Sequence, residues 1–364
     1  MGILSRGLAG VIDRIKTFYG SGETDKHYRP SDHLWHADRE MTSSEIIKSL
    51  IQHGCKETTP SLNHEKCDQL PTEIGGFGDV YQGVLLDGTK VAVKCIRPSV
   101  ASNDDGQKLL KRFAREIYVW SKCDHPSILS LVGLSEYRRQ LAIVSPWMEN
   151  GNLRQYLFKH SPSQAEQMKL VIQIADGVAY LHDKGMVHGD LKATNILVSA
   201  DGVPKLNDFG GPTLRECSLK PASTTVGADI SLRWMAPELL SDGGILTCGT
   251  DIWAWAMTVL EIFTGSVPYA GLHDTAVCRK IMSRMLPERP EKHIPTGDEQ
   301  ADLLWQMLNQ CWASDPLRRP AAVTIRDKLR EIDSMGPLER AVEGSIHSRR
   351  GNRERTETRP LLGH

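Results

Sequence analysis

The sequence predicts an α+β protein of two lobes, a small β-rich N-lobe with one helix followed by a larger, mainly α C-lobe. Three observations carry this expectation. Short runs alternating apolar and polar residues come first: DVYQGVLLD from Asp79, TKVAVKCIR from Thr89, LVGLSEY from Leu131 and QLAIVSPW from Gln140. That alternation is the period of a strand. A single helical pattern, LLKRFAREIYVWSKC from Leu109, interrupts them. After Asn150 the period becomes helical, with AEQMKLVIQIADGVAYLHDKG from Ala165 and IWAWAMTVLEIFTG from Ile252. A β-rich part followed by an α-rich part implies two subdomains, and the cleft between them is a natural ligand site.

The main domain is expected over residues 63–332, with the N-lobe at about 63–148 and the C-lobe at about 149–332. Residues 1–62 form an extension without a chemical motif. One short helix is predicted there. Thr42 and Glu45 have capping-box spacing, Met41 and Ile46 suit a hydrophobic staple, and Gly54 ends the run. Ile46, Ile47, Leu50 and Ile51 share one face, which either packs on the main domain or binds a partner. The tail, 333–364, contains SRRGNRERTETR; it is basic, poor in apolar residues and has the composition of a disordered segment.

Bulk composition excludes several classes. The 364 residues are 40% hydrophobic and 24% charged, as in an ordinary globular protein. A formal net charge of -1 gives no general attraction to nucleic acid or to a membrane. The eight cysteines are scattered without a CxxC pair, so reduced thiols are expected rather than disulfides or a zinc site. No apolar run approaches the roughly 18 residues of a membrane span. The run from Ile252 is short and contains Glu261, so it reads as a buried helix. The start, MGILSRGLAG, lacks a secretory pattern, and Arg6 stands where a myristoylation signal wants Ser or Thr. A soluble, intracellular (cytoplasmic) protein is expected.

The chemistry-bearing residues suggest a site for a metal-bound triphosphate. Such a site needs a glycine turn, a strand lysine, a carboxylate to hold that lysine, hard metal ligands and a base. IGGFGDV, from Ile74 to Val80, supplies glycines at 75, 76 and 78 that let a hairpin backbone approach phosphate. Gly75, Gly76 and Gly78 are therefore candidate binding residues. VAVK ends on Lys94, an unusual charge in an apolar strand, and Glu116 lies 22 residues on (116 − 94) in the predicted helix. A Lys–Glu pair of this kind can hold the α- and β-phosphates. VHGDLKATNILV places Asp190, Lys192 and Asn195 in one loop between a helix and a strand. Asp190 suits a general base, Lys192 screens a migrating phosphoryl group, and the Asn195 amide oxygen suits magnesium. NDFG brings Asp208 as a second metal ligand. Glu238 in RWMAPELL is expected to pair with Arg319 in WASDPLRRP, and Asp251 to hold the catalytic loop from below.

Taken in order, these runs resemble the eukaryotic protein-kinase family over about 270 residues. AIVSPWMENGNL, LKATNIL, RWMAPE and CWASDPLRRP are similar to the tyrosine-kinase-like group of serine/threonine kinases, especially its fungal sets. The resemblance implies a signalling enzyme that uses ATP and Mg2+ to phosphorylate protein substrates at Ser or Thr. It makes Pro146, Trp147 and Met148 the hinge and Ser145 the gatekeeper. Pro146 and Met148 would hold adenine, with Val80 and Ala92 above it and Leu197 below. Trp120, Leu131, His188 and Phe209 would form the regulatory spine.

Two positions depart from the family pattern. Glu73 falls at the first glycine of the turn, so that glycine is replaced or the hairpin is shortened, and a moderate loss of ATP affinity is expected. Gly189 stands where the family has an arginine that anchors an activation-loop phosphate. Switching on should therefore not require phosphorylation at Thr224 or Thr225. The altered glycine turn keeps open a pseudokinase scaffold that binds partners without transfer. A small-molecule phosphotransferase fits less well, because Glu238 and Arg319 build a peptide-docking lobe.

Overall fold

The computed structural model describes residues 43–74, 78–96, 114, 117–208, 231–240 and 244–336. The small lobe is an antiparallel five-stranded sheet of β1 (Glu73–Ile74), β2 (Gly78–Val84), β3 (Lys90–Ile96), β4 (Gly133–Tyr137) and β5 (Gln140–Pro146), in the order β1-β2-β3-β5-β4. Alternation along β3 divides its side chains between two faces. Val91, Val93 and Cys95 are buried with Tyr81, Ala142 and Val144 on the outer face. Ala92 and Lys94 are half-buried on the other face. Ala92 pairs with Ser145 and Lys94 with Val80, so those four residues line the same side of the sheet.

The turn between β4 and β5 is Arg138–Arg139, both at positive φ (53 and 61). A two-residue hairpin wants this geometry, although glycine or asparagine usually supplies it. Arg138 lies over the Tyr81 ring at 4.6 Å and the Tyr137 ring at 5.3 Å, contacts that offset the cost of the conformation. Of the helix expected around Leu109 to Cys123, residue 114 and residues 117–123 are described; 114 and 117–120 are helical, and 121–123 have already left the helix.

Upstream lies α1 (Ser43–Gln52). It ends in a Schellman motif: Gly54 at φ +91, Gly54 N–H to the Ile51 carbonyl at 2.9 Å, and Cys55 N–H to the Leu50 carbonyl at 3.0 Å. Met41 and Thr42 of the expected staple and box lie outside the described residues.

The large lobe contains α2 (Leu153–His160), α3 (Gln164–Asp183), the hairpin β6 (Ile196–Val198) and β7 (Pro204–Leu206), α4 (Cys248–Thr264), α5 (Asp274–Met282), α6 (Glu299–Cys311) and α7 (Ala322–Ser334). Full capping boxes open α2 at Asn152/Gln155, α3 at Ser163/Glu166 and α4 at Thr247/Thr250. Every residue of α4 from Thr250 to Phe263 is buried. A helix buried all round runs through a core. Its two carboxylates, Asp251 and Glu261, must therefore find partners inside the protein. No helix among the described residues is long and apolar enough to cross a membrane.

Glu238 and Arg319 form the expected pair, bidentate at 2.6 and 2.8 Å. The Arg319 side chain is fully buried and also donates to the Gly249 carbonyl at 2.8 Å. Its guanidinium stands 5.1 Å from the Trp253 ring centroid. This fixes the stretch after Ser231 to the centre of the large lobe.

Candidate active site

The loop from His188 to Asn195 connects α3 to β6 and is anchored on α4. The Asp251 carboxylate accepts from His188 N–H and Gly189 N–H, both at 2.7 Å, and lies 2.9 Å from His182 Nε2. Burial opposes a charge on His182, but the hydrogen bond and attraction from Asp251 outweigh it and raise its pKa to about 9. His188 is fully buried, and burial holds its imidazole below the usual histidine range. Gly189 has φ +77, a conformation in which glycine alone carries no side-chain penalty. One turn further along the loop, Ala193 N–H donates to Glu261 Oε2 at 3.0 Å. The same oxygen accepts from Trp234 Nε1 at 3.2 Å. Burial raises the Glu261 pKa, and these two donors work against that rise.

Within this frame Asn195 Nδ2 donates to both the backbone carbonyl (2.9 Å) and Oδ2 (2.8 Å) of Asp190. Lys192 Nζ stands 3.5 Å from Asp190 Oδ2 and donates to Ser231 Oγ at 2.8 Å. The Asn195 carbonyl accepts from Asn207 N–H at 3.1 Å, which sets the adjacent Asp208 beside the loop. Asp208 lies at φ +56, an uncommon conformation that Asp tolerates. Its Oδ1 contacts Lys94 Nζ, reaching across from β3. Lys94 thus meets Asp208, while Asn195 and Lys192 both meet Asp190, and the Asn207–Asn195 backbone bond ties the two groups together.

Residues 71–329 match the family model for protein tyrosine and serine/threonine kinases. The chain belongs to this family. It is 29% identical over 284 residues to the tyrosine-protein kinase Btk of Drosophila melanogaster, covering 74% of this chain and 34% of that protein. It is 32% identical over 260 residues to a probable serine/threonine-protein kinase of Dictyostelium discoideum, with 71% and 27% covered. The tyrosine protein-kinase src-1 of Caenorhabditis elegans is also 32% identical over 260 residues, with 69% and 46% covered. The chain spans from about a quarter to about a half of these relatives' lengths.

The kinase domain places the expected nucleotide contacts as follows. Val80, Ala92 and Lys94 line one face of the sheet, and Ser145 pairs with Ala92 at its end. From Pro146 the chain turns at Met148, whose carbonyl accepts from Gly151 N–H at 3.0 Å. It then runs against β6, where Asn152 bridges to Leu197. The sheet residues Val80 and Ala92 and the β6 residue Leu197 are thereby joined through the hinge. Gly78 opens β2 opposite Ile96. Gly75, Gly76, Glu116, Phe209, Thr224 and Thr225 lie outside the described residues, so the expected Lys94–Glu116 pair does too.

The donor set suits ATP with a divalent metal. Asn195 and Asp208 offer hard oxygens, and among the described residues no group of three or more His, Cys, Asp or Glu could hold a metal ion. Magnesium in nucleotide sites takes few protein ligands, because phosphate oxygens and waters complete its shell.

Three functional neighbours escaped the sequence reading. Glu261 and Ser231 reach the catalytic loop from far along the chain, and His182 meets Asp251, which holds that loop. Ser231 had a local signal, a hydroxyl seven residues before Glu238 (238 − 231), in the segment that leads to the docking turn.

Proposed function

We propose that this chain is a protein serine/threonine kinase that transfers the γ-phosphate of Mg-ATP to Ser or Thr hydroxyls of protein substrates. The observation that carries the hydroxyl class is Lys192, laid between the Asp190 carboxylate at 3.5 Å and Ser231 Oγ at 2.8 Å. A Ser or Thr hydroxyl lies one bond beyond Cβ, while a Tyr hydroxyl lies a whole ring further out. An ammonium packed between the base and the docking turn suits the shorter reach.

In this reading Asp190 accepts the proton of the attacking hydroxyl. Asn195 holds Asp190 through its amide N–H groups, which leaves its amide oxygen to face the metal together with Asp208. Lys192 balances negative charge on the migrating phosphoryl group, and Lys94 binds the α- and β-phosphates. Bound Mg2+ neutralises phosphate charge. Pro146 and Met148 hold the adenine by their backbone, with Val80 and Ala92 above and Leu197 below. Glu238 and Arg319 keep the docking turn in place, and protein substrates follow from that turn. The setting is intracellular signalling.

A degenerate peptide array incubated with the purified chain and Mg-ATP tests this. Phosphoserine and phosphothreonine are expected. Phosphotyrosine as the sole product would contradict the hydroxyl class. Nucleotide binding with no transfer to any peptide would favour the scaffold reading.

A further inference from the structure

The family match begins at residue 71, but the folded small lobe begins earlier. Residues 56–72 bond to β4 at one side of its sheet and to β2 at the other. β4 is an edge strand, and an unpaired edge exposes N–H and carbonyl groups. Here Thr58 N–H donates to the Leu134 carbonyl at 2.7 Å, and Leu134 N–H donates to the Lys56 carbonyl at 2.8 Å, forming a parallel bridge at Glu57. The fully buried Thr58 adds its hydroxyl to the same carbonyl at 2.9 Å. Glycine at 133 is required for this approach: a Cβ there would lie 2.4 Å from the Lys56 carbonyl oxygen.

The chain then crosses the outer face. Leu62 and Cys67 enter the same buried cluster as Tyr81, Val91, Val93 and Val144. It reaches the stretch of β2 that the two-residue edge strand β1 leaves unpaired, where Asn63 N–H meets the Val84 carbonyl and Asp68 N–H meets the Gln82 carbonyl, both at 2.9 Å. Upstream, Ile46 and Leu50 of α1 are fully buried and Ile47 nearly so. The His53 ring meets Tyr118, on the helix at 117–120, edge-on at 6.4 Å between centroids. The apolar stripe of α1 is thus consumed within the chain and is not open to a partner.

We propose that residues 43–70 are a positioning strap of the phosphotransfer site, and that the catalytic unit includes them. The strap holds β2, β3 and β4, together with the helix at 117–120, in the arrangement that aims Lys94 into the cleft. The proposal rests on Lys94 as a phosphate-binding residue, and it assigns the strap to nucleotide positioning rather than to turnover of docked peptide.

The test is Leu50→Asp in the full chain, read by hydrogen exchange and by steady-state kinetics. Releasing α1 is expected to speed exchange at 117–122 and at 133–137 while α4 stays protected. KM for ATP should rise by about tenfold or more, with KM for peptide unchanged. If Leu50→Asp does not fold, Leu50→Ala is read in the same way and should move the same quantities less. Free exchange of α1 with wild-type protection at 117–122 and 133–137 would overturn the proposal, as would an unchanged KM for ATP. A wild-type chain that ignores Mg-ATP would instead overturn the reading of Lys94, and the exchange measurement would still decide the strap.

Discussion

The catalytic loop and the Lys94 strand face one cleft but are held in different ways. In the large lobe, backbone N–H groups of His188, Gly189 and Ala193 end on two carboxylates, Asp251 and Glu261, buried in α4. Those bonds run from a core helix directly to the loop, so Asp190 and Asn195 are set by the same packing that folds the lobe. In the small lobe, Lys94 is placed by strand register and by a segment wrapped around the sheet from outside. Its ammonium meets Asp208, a charge from the opposite lobe. The large-lobe half is preorganised by buried charge, whereas the small-lobe half depends on peripheral packing. Changes to the first should cost folding and turnover together. Changes to the second should act mainly on nucleotide affinity.

The largest effect is expected at Asp251. Asp251→Ala strips the acceptor from the buried His188 N–H, from the half-buried Gly189 N–H and from His182. Removing one partner of a buried charge pair costs about 3–5 kcal/mol, visible in denaturant unfolding. A loss within ~0.5 kcal/mol, the scale of an ordinary surface change, would break the comparison.

The same anchor has a pH signature. The folded pKa of His182, about 9, lies above its ordinary 6.5. Protonation therefore favours the folded state: the contribution is complete below 6.5 and is lost as pH rises through about 9. Stability measured across that interval should fall, and His182→Gln should flatten the fall. A wild-type profile that rises with pH there would contradict the assignment.

Gly189 sharpens the account of the loop. At φ +77 a side chain costs about 1–2 kcal/mol, so Gly189→Ala should lower stability by that amount. Equal stability in a thermal melt would mean that the loop relaxes freely. The smallest effect is expected in the small lobe, at Glu73. This residue is exposed on β1 opposite Val80. An exposed charge is worth ~1 kcal/mol or less, so Glu73→Gly should lower KM for ATP by no more than about fivefold.

The legible parts of the site were those whose chemistry is compressed into a few residues. Asp190, Lys192 and Asn195 lie within one loop, and the structure brings the three side chains together there. The strands were legible because period-2 patterning marks TKVAVKCIR and QLAIVSPW as sheet. The supports were not legible. His182 meets Asp251 across 69 residues, Lys192 meets Ser231 across 39, and Ala193 meets Glu261 across 68. Nothing local marks such pairs, and Glu261 inside an apolar run shows only that the helix does not span a membrane. Residues 56–72 carry no periodic signal either, because much of their role is made of backbone hydrogen bonds to β2 and β4, with Thr58, Leu62 and Cys67 adding isolated buried side chains. Such bonds depend on register, not on side-chain type.

The central claim is that Asp190 acts on the acceptor hydroxyl while separate groups hold the nucleotide. Asp190→Asn tests it most directly, with Mg-ATP binding and single-turnover transfer to peptide measured on the same sample. The account predicts binding close to wild type and transfer reduced by roughly 10²–10⁴-fold. Transfer at the wild-type rate would contradict it.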